Sequence, residues 1–439
     1  MAREMKDSGV EWIGEIPKDW ILMKMNLICS IITDYVASGS FASLAENVKY
    51  LDEPDYAMLI RTADLSKKGH VGKPVYINES AYNFLSNSNL FGGEIVLPNI
   101  GGVGEAYIVP QLYKKMSLAP NSIMIRTNYE DKYYYYFFNC EAGSRFLKQI
   151  SQSTAQEKFN KTDFRQIRGL VPPLVEQKKI VSYLDVKCQE LDNILEKTKE
   201  SIDEYKKLKQ AIITQAVTKG VRSDREMKDS GSVWFADIPF NWDMKKVKYL
   251  FRIKKNIAGE EGYTVLSITQ KGIVPKDLSK NEGQLAESYA NYQLVNQGDF
   301  AMNHMDLLTG WVDISKYSGV TSPDYRVFSL IDDENNNRQY YLYLMQMCYI
   351  NKIFYGLGQG VSGFGRWRLQ ADKFLNFAIV VPPLEEQIEI AEYLDDKISK
   401  LDGLIQKKEQ YLVEIENYKN SLIYEYVTGK KEIPQAYQA

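Results

Sequence analysis

Cysteine and histidine are scarce in this sequence, with four and two respectively among 439 residues. Cys29, Cys140, Cys188 and Cys348 lie far apart, giving neither a disulfide framework nor the paired spacing of a zinc site, so they are expected to be reduced and structural. With only His70 and His304, a histidine-based metal centre or a histidine-served nucleophile is not indicated. No apolar run approaches the roughly 18 to 20 residues of a membrane span. The first twenty residues, MAREMKDSGVEWIGEIPKDW, hold acids and tryptophans where a secretory leader needs a basic start and an apolar block. A cytoplasmic protein is expected. A strong excess of one charge is missing as well: 54 Lys and Arg against 57 Asp and Glu leave a net charge of -3. That balance excludes coating nucleic acid by bulk electrostatics, so any DNA contact is local or shared with a partner.

Catalytic and cofactor motifs are missing too. Gly101, Gly102 and Gly104 precede the strand-like AYIVP, whereas a dinucleotide site needs a helix there to receive the pyrophosphate. There is no GxxxxGK[ST] loop for a nucleoside triphosphate. The acids Asp332-Asp333-Glu334 run into NNNR and read as a solvated turn. The double prolines stand before a leucine and acids, not in the Asn/Asp-Pro-Pro-aromatic box of an adenine methyltransferase. No catalytic residue, metal ligand or cofactor is therefore assigned to the chain.

What the sequence does have is an internal repeat. MKDSGVEWIGEIPKDW at 5–20 matches MKDSGSVWFADIPFNW at 227–242 without a gap, nine of sixteen positions being identical at an offset of 222. VPPLVEQKKIVSYLDVKCQELD from Val171 aligns with VPPLEEQIEIAEYLDDKISKLD from Val381 at an offset of 210. Between the boxes, matching fragments keep their order: Gly93-Glu94 with Gly298-Asp299, YYYYFF at Tyr133 with YYLYL at Tyr340, and Asp163-Phe164 with Asp372-Lys373-Phe374. The tandem halves thus share a frame and differ in surface detail.

Each PPL box predicts a long helix beginning just past the prolines, which suit a helix entrance. Alternating steps of four and three give a seam at Leu184, Cys188, Leu191, Leu195, Thr198, Ile202, Tyr205, Lys209 and Ile212. Adding 210 gives Leu394, Ile398, Leu401, Ile405, Lys408, Leu412, Ile415, Lys419 and Leu422. Equivalent apolar stripes on helices of about 60 Å favour an antiparallel coiled coil over packing of each helix on its own domain. The segments between the boxes mix strand-like runs such as YAMLIRTADL, GEIVLPNI and YTVLSIT with turns and with Tyr-rich helices read as core. The expected class is α+β: two α/β domains in a pseudo-symmetric tandem repeat, held apart by two long helices. The expected boundaries are a first domain at 1–172, a first helix at 173–221, a second domain at 222–381, a second helix at 382–431 and a tail at 432–439.

Two SG-x-x-W-x-x-x-IP-x-x-W openings, Ser8 to Trp20 and Ser230 to Trp242, and two PPL-x-EQ boxes leading into heptad helices resemble the specificity subunit of type I restriction-modification systems. The resemblance spans the chain. It implies two target-recognition domains, each reading one half of a bipartite DNA sequence, and helices that separate them and bind two modification subunits. Those partners, joined by restriction subunits, would carry S-adenosylmethionine and methylate adenine. Because the two readers differ, the target is expected to be asymmetric, with a nonspecific gap. The alternative is a duplicated coiled-coil adaptor that grips protein.

Candidate DNA contacts lie in polar loops before each PPL box. The first offers Lys158, Asn160, Lys161, Arg165 and Arg168, with Gln152 and Gln156 as base readers; the second offers Arg366, Arg368 and Lys373, with Gln359. Arg61 in LIRTADL is a further base-reading candidate, and its rough counterpart is Ser267 in LSITQ. A phosphate contact at Lys161 predicts that Lys161→Ala weakens binding to all sequences and flattens its salt dependence.

Overall fold

The computed structural model describes residues 3–65, 73–151, 157–277, 286–360 and 367–434. Its contacts divide the chain into two compact units, Met1–Lys197 with Tyr411–Ala439, and Thr198–Gln410. The mixed α+β class and the tandem repeat of the sequence are what the structure shows.

In the first unit the opening box folds into a hairpin, Met5–Asp7 against Glu15–Pro17, with Gly14 in the left-handed region at the turn. Ile21–Lys24 then pairs antiparallel with Arg168–Val171, the strand that leads into the first PPL box. The central sheet places Cys29–Asp34 beside Ser122–Thr127, then Ile95–Pro98, then Tyr107–Ile108. A second sheet runs Tyr76–Ile77, Ala57–Ile60, Met116–Leu118, Asn89–Leu90, its middle pair parallel.

The second unit repeats this order. Its hairpin is Met227–Lys228 with Ile238–Pro239, and Asp243–Lys246 pairs with Ala378–Val381. Phe251–Lys254, Arg326–Leu330, Phe300–Met302 and Val312–Ile314 form the central sheet in the same succession. The second sheet survives as two antiparallel pairs, Leu266–Thr269 with Gly272–Pro275 and Gln293–Val295 with Gly319–Thr321. The parallel contact that joins them is reduced to the single bridge between Val265 and Val320.

Long helices follow the prolines as expected, Leu174–Lys219 with 46 residues and Leu384–Val427 with 44. Within the first unit the Tyr183 and Tyr426 rings lie 4.6 Å apart, tilted by 49°, and Lys419 reaches Asp192 at 2.5 Å. Within the second, Lys209 binds Asp402 at 2.7 Å and Lys206 lies 3.9 Å from Glu409. In each unit, moving forward on one helix means moving backward on the other, so the segments run antiparallel. Leu184, Cys188, Leu195, Ile202, Leu394, Ile398, Leu401, Ile405, Ile415 and Leu422 are buried; Leu191, Tyr205, Ile212 and Leu412 are half-buried.

Each core is centred on its Tyr-rich helix, Asp131–Phe138 or Arg338–Ile350, where Tyr133, Tyr134, Tyr340 and Tyr341 are fully buried. The aromatics are core, as their neighbours in sequence predict. The same residue type can be compared at two exposures on one helix. Ile390→Val, in the second core at 1% exposed, is expected to cost about 1 kcal/mol, while Ile388→Val at 39% exposed stays within about 0.5 kcal/mol. Thermal unfolding of the two variants measures the difference.

Candidate nucleic-acid interface

The most obvious motif residues serve the frame. Trp20, fully buried, donates its indole N–H to Glu176 Oε2 at 2.9 Å, and Arg3 also binds that carboxylate. In the second unit Trp242 donates to Glu386 Oε2 at 2.9 Å, with Arg225 at 2.7 Å and Asn241 at 2.8 Å. Gln177 and Gln387, the last residues of the PPL-x-EQ boxes, each donate to the carbonyl of Pro172 or Pro382. Their Oε1 atoms accept from the backbone before each Tyr-rich helix, at Glu130 N or Asn337 N. Tyr133 donates to the Val427 carbonyl at 2.7 Å, as Tyr340 does to that of Val217 at 3.1 Å. The second tryptophan of each opening box and the Glu and Gln of each PPL-x-EQ box are thus turned inward and hold the frame together, whereas Leu174, Val175, Val233 and Phe240 of the same boxes are exposed.

The arginines of this arrangement are absent from the sequence-level box, although the signal was present. REMKDSG occurs at 3–9 and at 225–231, so the repeat begins two residues before the stretch first aligned. Another acid pair is also internal. Glu94, fully buried, accepts from the backbone of Phe91 and Gly92 and from Arg126 at 2.6 Å; Asp299 accepts from Asn296 N and from Lys254 at 2.5 Å. The four cysteines are buried, and burial pushes the Cys29 and Cys140 thiols up to about 12, which leaves them protonated and unreactive.

The segment before the first PPL box is more ordered than a loop. Asn160 caps the helix Lys161–Gln166 by accepting from Asp163 N at 2.9 Å, and Phe164 anchors that helix in the core. Lys161 Nζ is bound to Asp34 at 2.7 Å, and Arg165 reaches the Ile32 carbonyl at 3.4 Å. Lys158 and Arg168 are exposed, the latter on the strand opposite Lys24. Arg61 is folded onto Asp64 at 2.7 Å and onto the Lys73 carbonyl. Strand register places Ser267 where the first unit has Arg61, since Leu59 pairs with Ser117 as Val265 bridges Val320.

Before the second box, Gln359 is exposed and pairs with Arg368 across a short antiparallel ladder. Lys373 is exposed on the helix Ala371–Asn376. Gln152, Gln156 and Arg366 lie outside the described residues. Among the described residues, no cluster of His, Cys, Asp and Glu is placed to hold a metal ion, and no helix is long and apolar enough to cross a membrane.

A model of the type I restriction modification DNA specificity domain matches the chain twice, at residues 17–204 and 239–416. The chain belongs to the type I restriction-modification specificity family. Membership makes it a DNA-recognition chain and not an enzyme. The family's paired domains coincide with the duplicated frame described above. Similar proteins include the type I restriction enzyme MjaVIII specificity subunit of Methanocaldococcus jannaschii, 27% identical over 310 residues, covering 67% of this chain and 69% of the relative. The putative MjaX specificity subunit of the same organism is 23% identical over 438 residues, 95% of each chain. Among solved structures, one described as "Structural basis underlying complex assembly and conformational transition of the type I R-M system" matches with a TM-score of 0.68 and 13% identity, covering 95% of this chain and 99% of the other. The HsdS subunit from Thermoanaerobacter tengcongensis matches with a TM-score of 0.50 and 13% identity, covering 95% and 98%. At such identities these structures speak for the specificity-subunit fold alone.

Proposed function

We propose that each unit of this specificity chain reads one half of an asymmetric bipartite target in double-stranded DNA, with an unread gap between the halves. The chain scaffolds two adenine-methyltransferase subunits, together with restriction subunits, on that target. The observation that carries the reading is one frame with two different surfaces. Sheet order, box hydrogen bonds and Tyr-rich helices repeat, while equivalent positions hold Arg61 or Ser267, and Gly101-Gly102-Val103-Gly104 or Asp306-Leu307-Leu308-Thr309. A scaffold needs its frame twice; a reader of two unlike half-sites needs different edges on it.

Methylating a base inside a duplex requires flipping it out, chemistry that the partner subunits would supply with S-adenosylmethionine. The near-neutral charge fits a complex in which partners neutralise much of the backbone. Recovery of the tagged chain from its host, followed by mass spectrometry, is expected to return a methyltransferase; unrelated partners would favour the adaptor. The candidate contacts Arg61, Lys158, Asn160, Lys161, Arg165, Arg168, Gln359, Arg368 and Lys373 remain part of this reading, but they are not equivalent. Lys158 points into solvent and Lys161 is held by Asp34. Lys158→Ala is therefore expected to lower the slope of log K against log salt by about one, and by more than Lys161→Ala does. Equal slopes for both variants and the parent would remove the pair from the interface.

A further inference from the structure

Among the described residues, the second unit buries a positive charge, Arg326, at a position where the first unit has none. Met302 pairs with Arg326 as Leu97 pairs with Ile123, and the neighbouring segment is tied by Leu369 N to His304 O at 3.0 Å as Phe159 N is to Asn99 O. These matching bonds make Ile123, Asn99 and Lys158 the counterparts of Arg326, His304 and Arg368. Ile123 is fully buried in an intact sheet, so the frame does not require a cation at this position.

Arg326 is 5% exposed, lies 4.9 Å above the Phe374 ring and donates to the Leu369 carbonyl at 2.9 Å. Among the described residues no carboxylate pairs with it. Arg368 is close enough to depress it further: burial first, and that neighbouring charge with it, bring the Arg326 guanidinium down to about 10. Among the described residues, the Nε of Arg368 is buried without a hydrogen-bond partner, and so is Nδ1 of His304, itself 5% exposed. Burial and the two arginines hold the imidazole neutral, down at about 3. A buried cation without a counter-charge is costly, and buried polar atoms without partners call for an explanation. An anion arriving at this point supplies the counter-charge that Arg326 lacks and an acceptor for the Nε–H of Arg368.

We infer that Arg326 and Arg368, beside the neutral ring of His304, form the seat of a DNA backbone phosphate in the second unit, an assignment that rests on the DNA-reading function proposed above. Half-buried Arg368 makes the direct contact. Arg326, fixed behind it by Phe374 and the Leu369 carbonyl, adds charge without loss of side-chain freedom on binding. The seat fixes the second unit on the duplex and has no equivalent in the first, where Lys158 stands exposed.

Only two histidines occur in the chain, so the His304 ring resonance is identified by comparison with a His70→Gln variant. Mixed-sequence duplex DNA is titrated into the full chain across a range of KCl, with Arg368→Gln and Arg326→Met beside the parent. The expected results are a shift of the His304 resonance on adding duplex, its loss in Arg368→Gln, and a salt slope lower by about one in that variant. Arg368→Gln leaves buried Arg326 on the Leu369 carbonyl and the Phe374 ring, and tests the seat even if Arg326→Met does not fold. An unmoved His304 resonance with an unchanged slope, while the parent still binds duplex, overturns the seat and leaves DNA recognition standing. Absence of duplex binding by the parent overturns both. An equal shift from inorganic phosphate alone, or loss of a protein partner with DNA binding intact, also overturns the assignment to a DNA phosphate.

Discussion

A chain ending at Asn420 is expected to lose its first unit while the second stays folded. Leu422, Ile423, Tyr426 and Val427 are buried in the core that also holds Trp20, Tyr133 and Phe164. Removing four large apolar side chains forfeits about 1.5 to 3 kcal/mol each, of the same order as the entire stability of a typical domain. The deletion also removes the Val427 carbonyl that accepts from Tyr133, and Gly429, whose left-handed backbone lets the chain pass against Pro17 and Trp20. The second unit keeps its own closure, with Ile213, Ala216 and Val217 in its core. Limited proteolysis with mass spectrometry is the readout: cleavage confined to residues 3–197 and 411–420 is expected. Resistance of that region in the shortened chain would mean that the helix end does not complete the first core.

The second large effect concerns Glu386. Its side chain is 5% exposed and gathers Arg225, Asn241 and Trp242. Glu386→Ala leaves a largely buried guanidinium and an indole N–H without their acceptor, and is expected to cost about 3 to 5 kcal/mol of the second unit's stability. Burial pushes the carboxyl up, but the donors from Arg225, Asn241 and Trp242 outweigh it and hold it down at about 2, against a usual value of 4.5. The folded value being the lower one, the carboxylate's contribution is complete above about pH 4.5 and is lost as pH falls from there through 2. Glu386→Gln is expected to flatten the parent's loss of stability across that window. A denaturant titration repeated at several pH values checks this, and an identical pH dependence in parent and variant would refute it.

These two predictions also mark what could be read from the sequence. The duplication, the long helices after Pro172-Pro173 and Pro382-Pro383, and the buried Tyr-rich helices follow from local pattern and spacing, because box identity and heptad periodicity lie along the chain. The capture of residues 411–434 by the first unit does not show in any local pattern, since its partners lie some hundreds of positions away. Its trace was only the equivalence of Val217 and Val427 at the same offset of 210 that relates the boxes. Arg326 was invisible for another reason. In DYRVFSL an arginine at the start of a strand reads as an exposed edge residue, and only the pairing with Met302 turns it inward. Lys161 is the converse case, a free-looking lysine that meets Asp34 from a distant strand. Charge partners set by tertiary contact escape a reading of either residue in its own segment.

The central claim, one frame presenting two unlike readers, is tested most directly by single-molecule sequencing of modified adenines. The host strain would be compared with one in which residues 243–378 are replaced by the equivalent segment of another family member. The account predicts a single bipartite motif of two unlike halves in the parent, and a motif altered in one half only after the exchange. A parent motif that is contiguous or has identical halves, or an exchange that alters both halves together, would contradict it.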